Sequence, residues 1–70
     1  MEKELKFAER LKKLREVKNL TIHQVAHILR IPAGTYLRLE CGLGRCNLDF
    51  LMRVARFYDV TADYLLGLED

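Results

Sequence analysis

TIHQVAHILRIPAGTYLRLECG, residues 21–42, holds two helix starts and two helix stops in one short span. Thr21 and Gln24 stand three apart, the spacing of a capping box, so a helix is expected to start at Thr21. Val25, Ala26 and Leu29 give that helix an apolar stripe. It must stop before Pro32, because proline disfavours helical backbone in the residue that precedes it. Ile31 falls in the resulting turn. A second helix is predicted from Pro32, tolerated at a helix start because it has no N–H to satisfy, to Glu40 or Cys41. Tyr36 and Leu39 face inward on this helix, and Gly42 suits a left-handed end.

Outward from this pair the same reasoning adds three helices. Phe7, Leu11 and Leu14 recur at helical spacing among Lys12, Lys13, Arg15 and Glu16, which predicts an amphipathic helix over about residues 4–17. Lys18, Asn19 and Leu20 interrupt the pattern. After a loop at Leu43-Gly44-Arg45-Cys46, Asn47 caps a helix whose Leu48, Leu51, Val54, Ala55 and Tyr58 form a stripe. Asp59 and Val60 end it. Thr61 then caps a short helix over Ala62–Leu66, with Asp63 in its first turn and Gly67 as its stop. No strand pattern occurs, so the expected fold is all-α: five helices around a helix-turn-helix at about residues 21–41.

Composition narrows the function classes. The 70 residues are expected to form one domain, with no room for a second catalytic lobe. Apolar residues make up 50% of them, enough for one helical core in a chain that buries only about 60% of its unfolded surface. No apolar run approaches the ~20 residues of a membrane span, and the charged start lacks a secretory signal, so a cytoplasmic protein is expected. Cys41 and Cys46 are too few for a disulfide framework. Residues 1–30 carry eight Lys/Arg against four Glu, and residues 31–70 carry four Arg against six acids. The basic half suits a polyanion, though this bias alone does not identify nucleic acid. No Ser-His-Asp set, Gly-rich phosphate loop or acidic pair is present, so neither an enzyme nor a cofactor is expected.

With Leu11-x-x-Leu14-Arg15, Leu20-Thr21, Val25-Ala26, Thr35-Tyr36 and Leu39-Glu40-x-Gly42 in order, the sequence resembles the Cro and phage-repressor, lambda-repressor-like helix-turn-helix family. The family is also known as the xenobiotic-response-element family of bacterial and phage regulators. Leu48-Asp49-x-Leu51, Ala55-x-x-Tyr58-Asp59-Val60-Thr61 and Asp63-Tyr64-Leu65-Leu66-Gly67 extend the likeness over about residues 5–67. The resemblance implies an ion pair between Arg15 and Glu40 that ties the first helix to the end of the third. It also implies that the third helix enters the major groove of double-stranded DNA, with the second helix and the loop after the third touching phosphates. The candidate base-reading positions are Ala33, Gly34, Thr35, Leu37 and Arg38; only Thr35 and Arg38 carry polar groups, and Ala33 or Leu37 would meet thymine methyls. The candidate phosphate contacts are His23, Gln24, Arg30, Arg45 and Asn47. The chain departs from the pattern at Ile22, where the family has glutamine, and at Pro32, Ala33 and Gly34, where Ser, Arg or Gln are common. Arg30 replaces a turn glycine, which implies either a strained left-handed residue or an added phosphate contact.

Phe50, Phe57, Tyr64, Leu66 and Leu68 are more apolar surface than one small core is expected to cover, and they mark a candidate interface. In the family, homodimers form through the fourth and fifth helices and the tail, about 34 Å between recognition helices, to match a palindromic operator. Tyr36 and Tyr58 read as core, and Tyr64 as a surface aromatic. His23 and His27, four apart, could join Cys41 and Cys46 around zinc, but no Cys-x-x-Cys occurs and exposed helix histidines are common, so no metal site is assigned. Lys12, Lys13 and Lys18 read as solubilising charges. The expected function is a homodimeric transcriptional repressor without a small-molecule effector domain; Cro-like repressor, restriction-modification controller and antitoxin remain open. The competing class is a protein-docking module or antirepressor that uses the apolar start of the third helix.

Overall fold

The computed structural model describes residues 2–44 and 46–69. Its elements are α1 (Glu2–Val17), α2 (Ile22–Leu29), α3 (Ala33–Glu40), α4 (Leu48–Tyr58) and α5 (Ala62–Leu65), with no strand among the described residues. Three boundaries differ from expectation. α1 begins two residues early, since Glu2 and Lys3 are good helix formers with no breaker between them and the apolar stripe. Pro32 is the cap of α3 rather than its first residue: its ψ of 142° is extended, and its carbonyl accepts from the amides of Thr35 and Tyr36. α5 stops at Leu65, with Leu66 as its cap, because Gly67 at φ 78° has already turned left-handed.

The starts of α2, α4 and α5 are closed by side chains that accept from amides three residues on. The Gln24 amide donates to Thr21 Oγ1 at 3.1 Å while the Thr21 amide donates to Gln24 Oε1 at 2.8 Å, a complete capping box. The Phe50 amide donates to Asn47 Oδ1 at 2.7 Å and the Tyr64 amide to Thr61 Oγ1 at 3.0 Å. Helix ends share a second device. At each of the five, one left-handed residue (Asn19, Arg30, Gly42, Asp59 or Gly67) lets two successive amides reach back to carbonyls three and five residues earlier. At α2 these are Arg30 to His27 at 3.2 Å and Ile31 to Ala26 at 3.0 Å.

The core lies where the apolar stripes meet. Leu11 of α1, Val25 of α2, Tyr36 of α3, Val54 of α4 and Leu65 of α5 are its most deeply buried large side chains. The Tyr36 and Tyr58 hydroxyls are 2.6 Å apart and share one hydrogen bond, which satisfies two polar atoms that burial would otherwise strand. Burial comes first among the causes that raise both phenol pKa values.

Candidate nucleic-acid interface

α2 and α3 are joined only by Arg30, Ile31 and Pro32, and three contacts hold this pair in place. Arg15 grips Glu40 with two parallel bonds, Nε to Oε2 at 2.8 Å and Nη2 to Oε1 at 3.1 Å. Its third nitrogen, Nη1, donates to the Leu20 carbonyl at 2.9 Å, so one guanidinium fixes the end of α3 and the turn before α2 together. The side chains are 14% and 4% exposed. The bond to Glu40 raises the Arg15 pKa, against desolvation, so the guanidinium stays charged. From the other side, Arg53 of α4 donates to the Leu29 carbonyl at the end of α2.

α3 therefore presents a fixed outer face. Tyr36 and Leu39 point into the core, and at 100° per residue Gly34, Leu37 and Arg38 fall on the opposite side. All three are exposed; Thr35 is exposed at the edge of that face, and Ala33 is half-buried. Ala33, Gly34 and Leu37 meet Ile22 and His23 of α2 across a groove of about 520 Å³, whose inner wall is Arg15, Leu20 and Thr21. Neither helix has an acid in its first turn, so both amino ends keep their positive dipole uncompensated. From Val17 to Leu39 the chain has no Asp or Glu, and it carries Lys18, Arg30 and Arg38.

The structure thus brings three of the expected base-reading positions into one groove with His23, and leaves Thr35 and Arg38 outside that groove on the exposed surface of α3. Gln24 is exposed, but its carboxamide oxygen serves the α2 cap. Asn47 is likewise exposed and engaged in the α4 cap. Arg30 is exposed at the turn, with φ 60° and ψ 47°. Arg45 lies outside the described residues. Ile22 and Leu20 as groove walls, and Arg53 as the brace behind α2, were not anticipated, and no local pattern points to a bond spanning 24 positions.

Phe50, Phe57, Tyr64 and Leu66 are half-buried against the core, while Leu68 is 62% exposed. Cations of the same chain cover three of the rings: Arg10 lies 4.2 Å over Tyr64, Lys18 5.7 Å over Phe57 and Arg53 6.0 Å over Phe50. Arg10 also donates to the Tyr64 and Glu69 carbonyls, holding the tail against α1. His23, His27 and Cys41 are exposed. Cys46 is half-buried, and burial pushes its thiol up to about 11. Among the described residues no three His, Cys, Asp or Glu side chains gather as a metal site, and no helix is long and apolar enough to cross a membrane.

Two short helices at a tight turn, braced by Arg15 of α1 and Arg53 of α4 and exposing one face of the second, define a helix-turn-helix fold. Residues 6–65 match the family model described as a helix-turn-helix domain, and the chain belongs to that family, in its Cro and lambda-repressor-like class. It is 39% identical over 64 residues to the uncharacterized HTH-type transcriptional regulator YobD of Bacillus subtilis (strain 168), a match covering 91% of this chain and 57% of that protein. It is also 39% identical over 61 residues to the HTH-type transcriptional regulator AnsR of the same organism, covering 87% of this chain and 53% of AnsR. To the HTH-type transcriptional activator BcrR of Enterococcus faecalis it is 36% identical over 66 residues, covering 94% of this chain and 32% of BcrR. The chain thus spans about half the length of the first two relatives and a third of the last. No solved structure matches it significantly.

Proposed function

We propose that the chain, acting as one domain, is a sequence-specific binder of double-stranded DNA that works in the cytoplasm as a homodimeric transcriptional repressor on a palindromic operator. The observation that carries this reading is the outer face of α3, held rigid by the Arg15–Glu40 pair and set in a stretch without acids. With α3 in the major groove, Arg38 and Thr35 read base edges. His23, Arg30, Asn47, Gln24 and Arg45 attach the protein to phosphates, which position it without reading sequence. Leu68, with the half-buried Phe50, Phe57, Tyr64 and Leu66, forms the surface on which two copies meet. Repression follows from occupancy alone, whereas activation needs a further contact with polymerase.

Selection of the purified protein on a random duplex pool at two salt concentrations tests the reading. A palindromic motif, bound more weakly as salt rises and lost with Arg38→Ala, supports it. A monomeric mass by light scattering at tens of micromolar overturns the dimer. The apolar groove and the polar-poor start of α3 favour one second reading, a protein-docking module. That reading predicts no enriched motif, and a partner contact that salt does not weaken.

A further inference from the structure

We infer that Gly44 is a positioning residue for base reading: its bare Cα lets the loop after α3 rest beside the stem of Arg38, and so sets the direction in which that arginine meets a base. The inference rests on the DNA-binding reading and gives a role to a residue that touches no base itself. Of the chain's four glycines, Gly42 and Gly67 occupy the left-handed region, at φ 76° and 78°. Gly44 does not, so its backbone conformation is open to any residue and the reason for glycine there is space. A Cβ at Gly44 would lie 3.0 Å from Leu39 Cδ2 and 3.4 Å from both Arg38 Cβ and the Leu39 amide nitrogen. Leu39 is a core side chain, 2% exposed, and its amide belongs to α3. Neither gives way without disturbing the core or the helix, so the loop would have to lift.

The main chain of that loop is wound onto Arg38. The Arg38 carbonyl accepts from the amides of Cys41 at 3.1 Å, Leu43 at 2.9 Å and Gly44 at 3.2 Å. The last two bonds exist only while residues 43 and 44 stay against the helix. Gly44 therefore meets Arg38 twice, by a hydrogen bond to its carbonyl and by close packing beside its Cβ. The side chain of Arg38 is long, flexible and exposed, and the torsion nearest its Cβ decides which way the rest of it runs. A side chain at position 44 would fill the space beside that torsion. Bidentate reading of a base needs the guanidinium aligned with two acceptors at once, so directing the stem contributes to discrimination.

The test compares the wild type with Gly44→Val, Arg38→Ala and the double variant, on the duplex enriched from the random pool and on duplex of random sequence. Each is measured at a temperature where far-UV circular dichroism shows it folded. The base pair read by Arg38 is the one at which Arg38→Ala loses its preference. Gly44→Val is expected to weaken binding to the enriched duplex about tenfold, the share of one base contact, and to flatten the preference at that same pair. Binding to random duplex, which phosphates dominate, should stay within about twofold. Added to Arg38→Ala, Gly44→Val should cost less than about twofold, since the residue it acts through has gone. Gly44→Ala should show the same pattern in smaller measure, and it takes the place of the valine variant if that one does not fold. A loss that recurs undiminished in the Arg38→Ala background, or a preference flattened at other pairs instead, gives the loop a role independent of Arg38 and overturns the inference. Wild-type affinity and preference in both Gly44 variants overturn it as well, as does an Arg38→Ala variant that keeps its preference at every pair. A wild type without salt-sensitive duplex binding removes the DNA-binding reading itself, and this inference with it.

Discussion

Replacing Arg30 with glycine is expected to make the fold more stable and its grip on DNA weaker. All five helices end through one left-handed residue, and the residue types filling that place differ in what the conformation costs them. Gly42 and Gly67 adopt it freely, and Asn19 and Asp59 belong to the types that visit it readily. Arg30, at φ 60° and ψ 47°, has neither advantage. A left-handed L-residue costs about 1–2 kcal/mol, while glycine adds about 0.5–1 kcal/mol of chain entropy to the unfolded state. The bonds that close α2 are made by main-chain amides, so the substitution removes none of them. The net gain is about 0.5–1 kcal/mol, or about 2–8 °C in melting temperature for a chain of this length, read by far-UV circular dichroism. If Arg30 also holds a phosphate, the variant's affinity falls less steeply with salt, by about one in the log–log slope. A melting temperature equal to or below that of the wild type refutes the strain argument.

Glu40→Ala leaves the Arg15 guanidinium facing a space from which its partner has gone, at a cost of about 3–5 kcal/mol. Against the ~4–10 kcal/mol typical of 70 residues, the variant should melt far below the wild type, and an unchanged melting temperature in a thermal scan sinks the proposed role of the pair. The tyrosine pair predicts a loss of stability in alkali. Burial raises the folded pKa of Tyr36 and Tyr58 above the unfolded value near 10, so their contribution is intact below about pH 10 and is lost as pH rises beyond it. Urea titrations across that range should show the decline in the wild type and a shallower one in Tyr58→Phe, and identical slopes would contradict the assignment.

What the sequence determined about this protein by itself is local or periodic. Thr21, Asn47 and Thr61 each bond an amide three residues on, so each cap was legible from a neighbour in the chain. Tyr36 and Tyr58 repeat at helical spacing with the apolar residues around them, which placed both in the core before any packing was known. The family itself was legible from motifs spread over most of the chain, and the comparisons agree. The boundaries at Pro32 and Leu65 shifted by one residue because helix ends are decided by small differences in cap geometry, and α1 starts two residues early because Glu2 and Lys3 are good helix formers.

Tertiary structure alone decided what depends on distant parts of the chain meeting. Arg53 reaches the Leu29 carbonyl, and Arg10 reaches the tail at Tyr64 and Glu69, 54 and 59 positions away. Such bonds follow from helix crossings, which no spacing rule encodes. The aromatic residues of α4 and α5 are partly covered by cations of α1, α4 and the turn after α1, a sharing of surface that composition cannot divide. The groove is the sharpest case. Ile22 and Gly34 read from sequence as positions where polar readers are missing. Packed together, they form a concave apolar wall, because shape arises from two helices at once and chemistry from each residue alone.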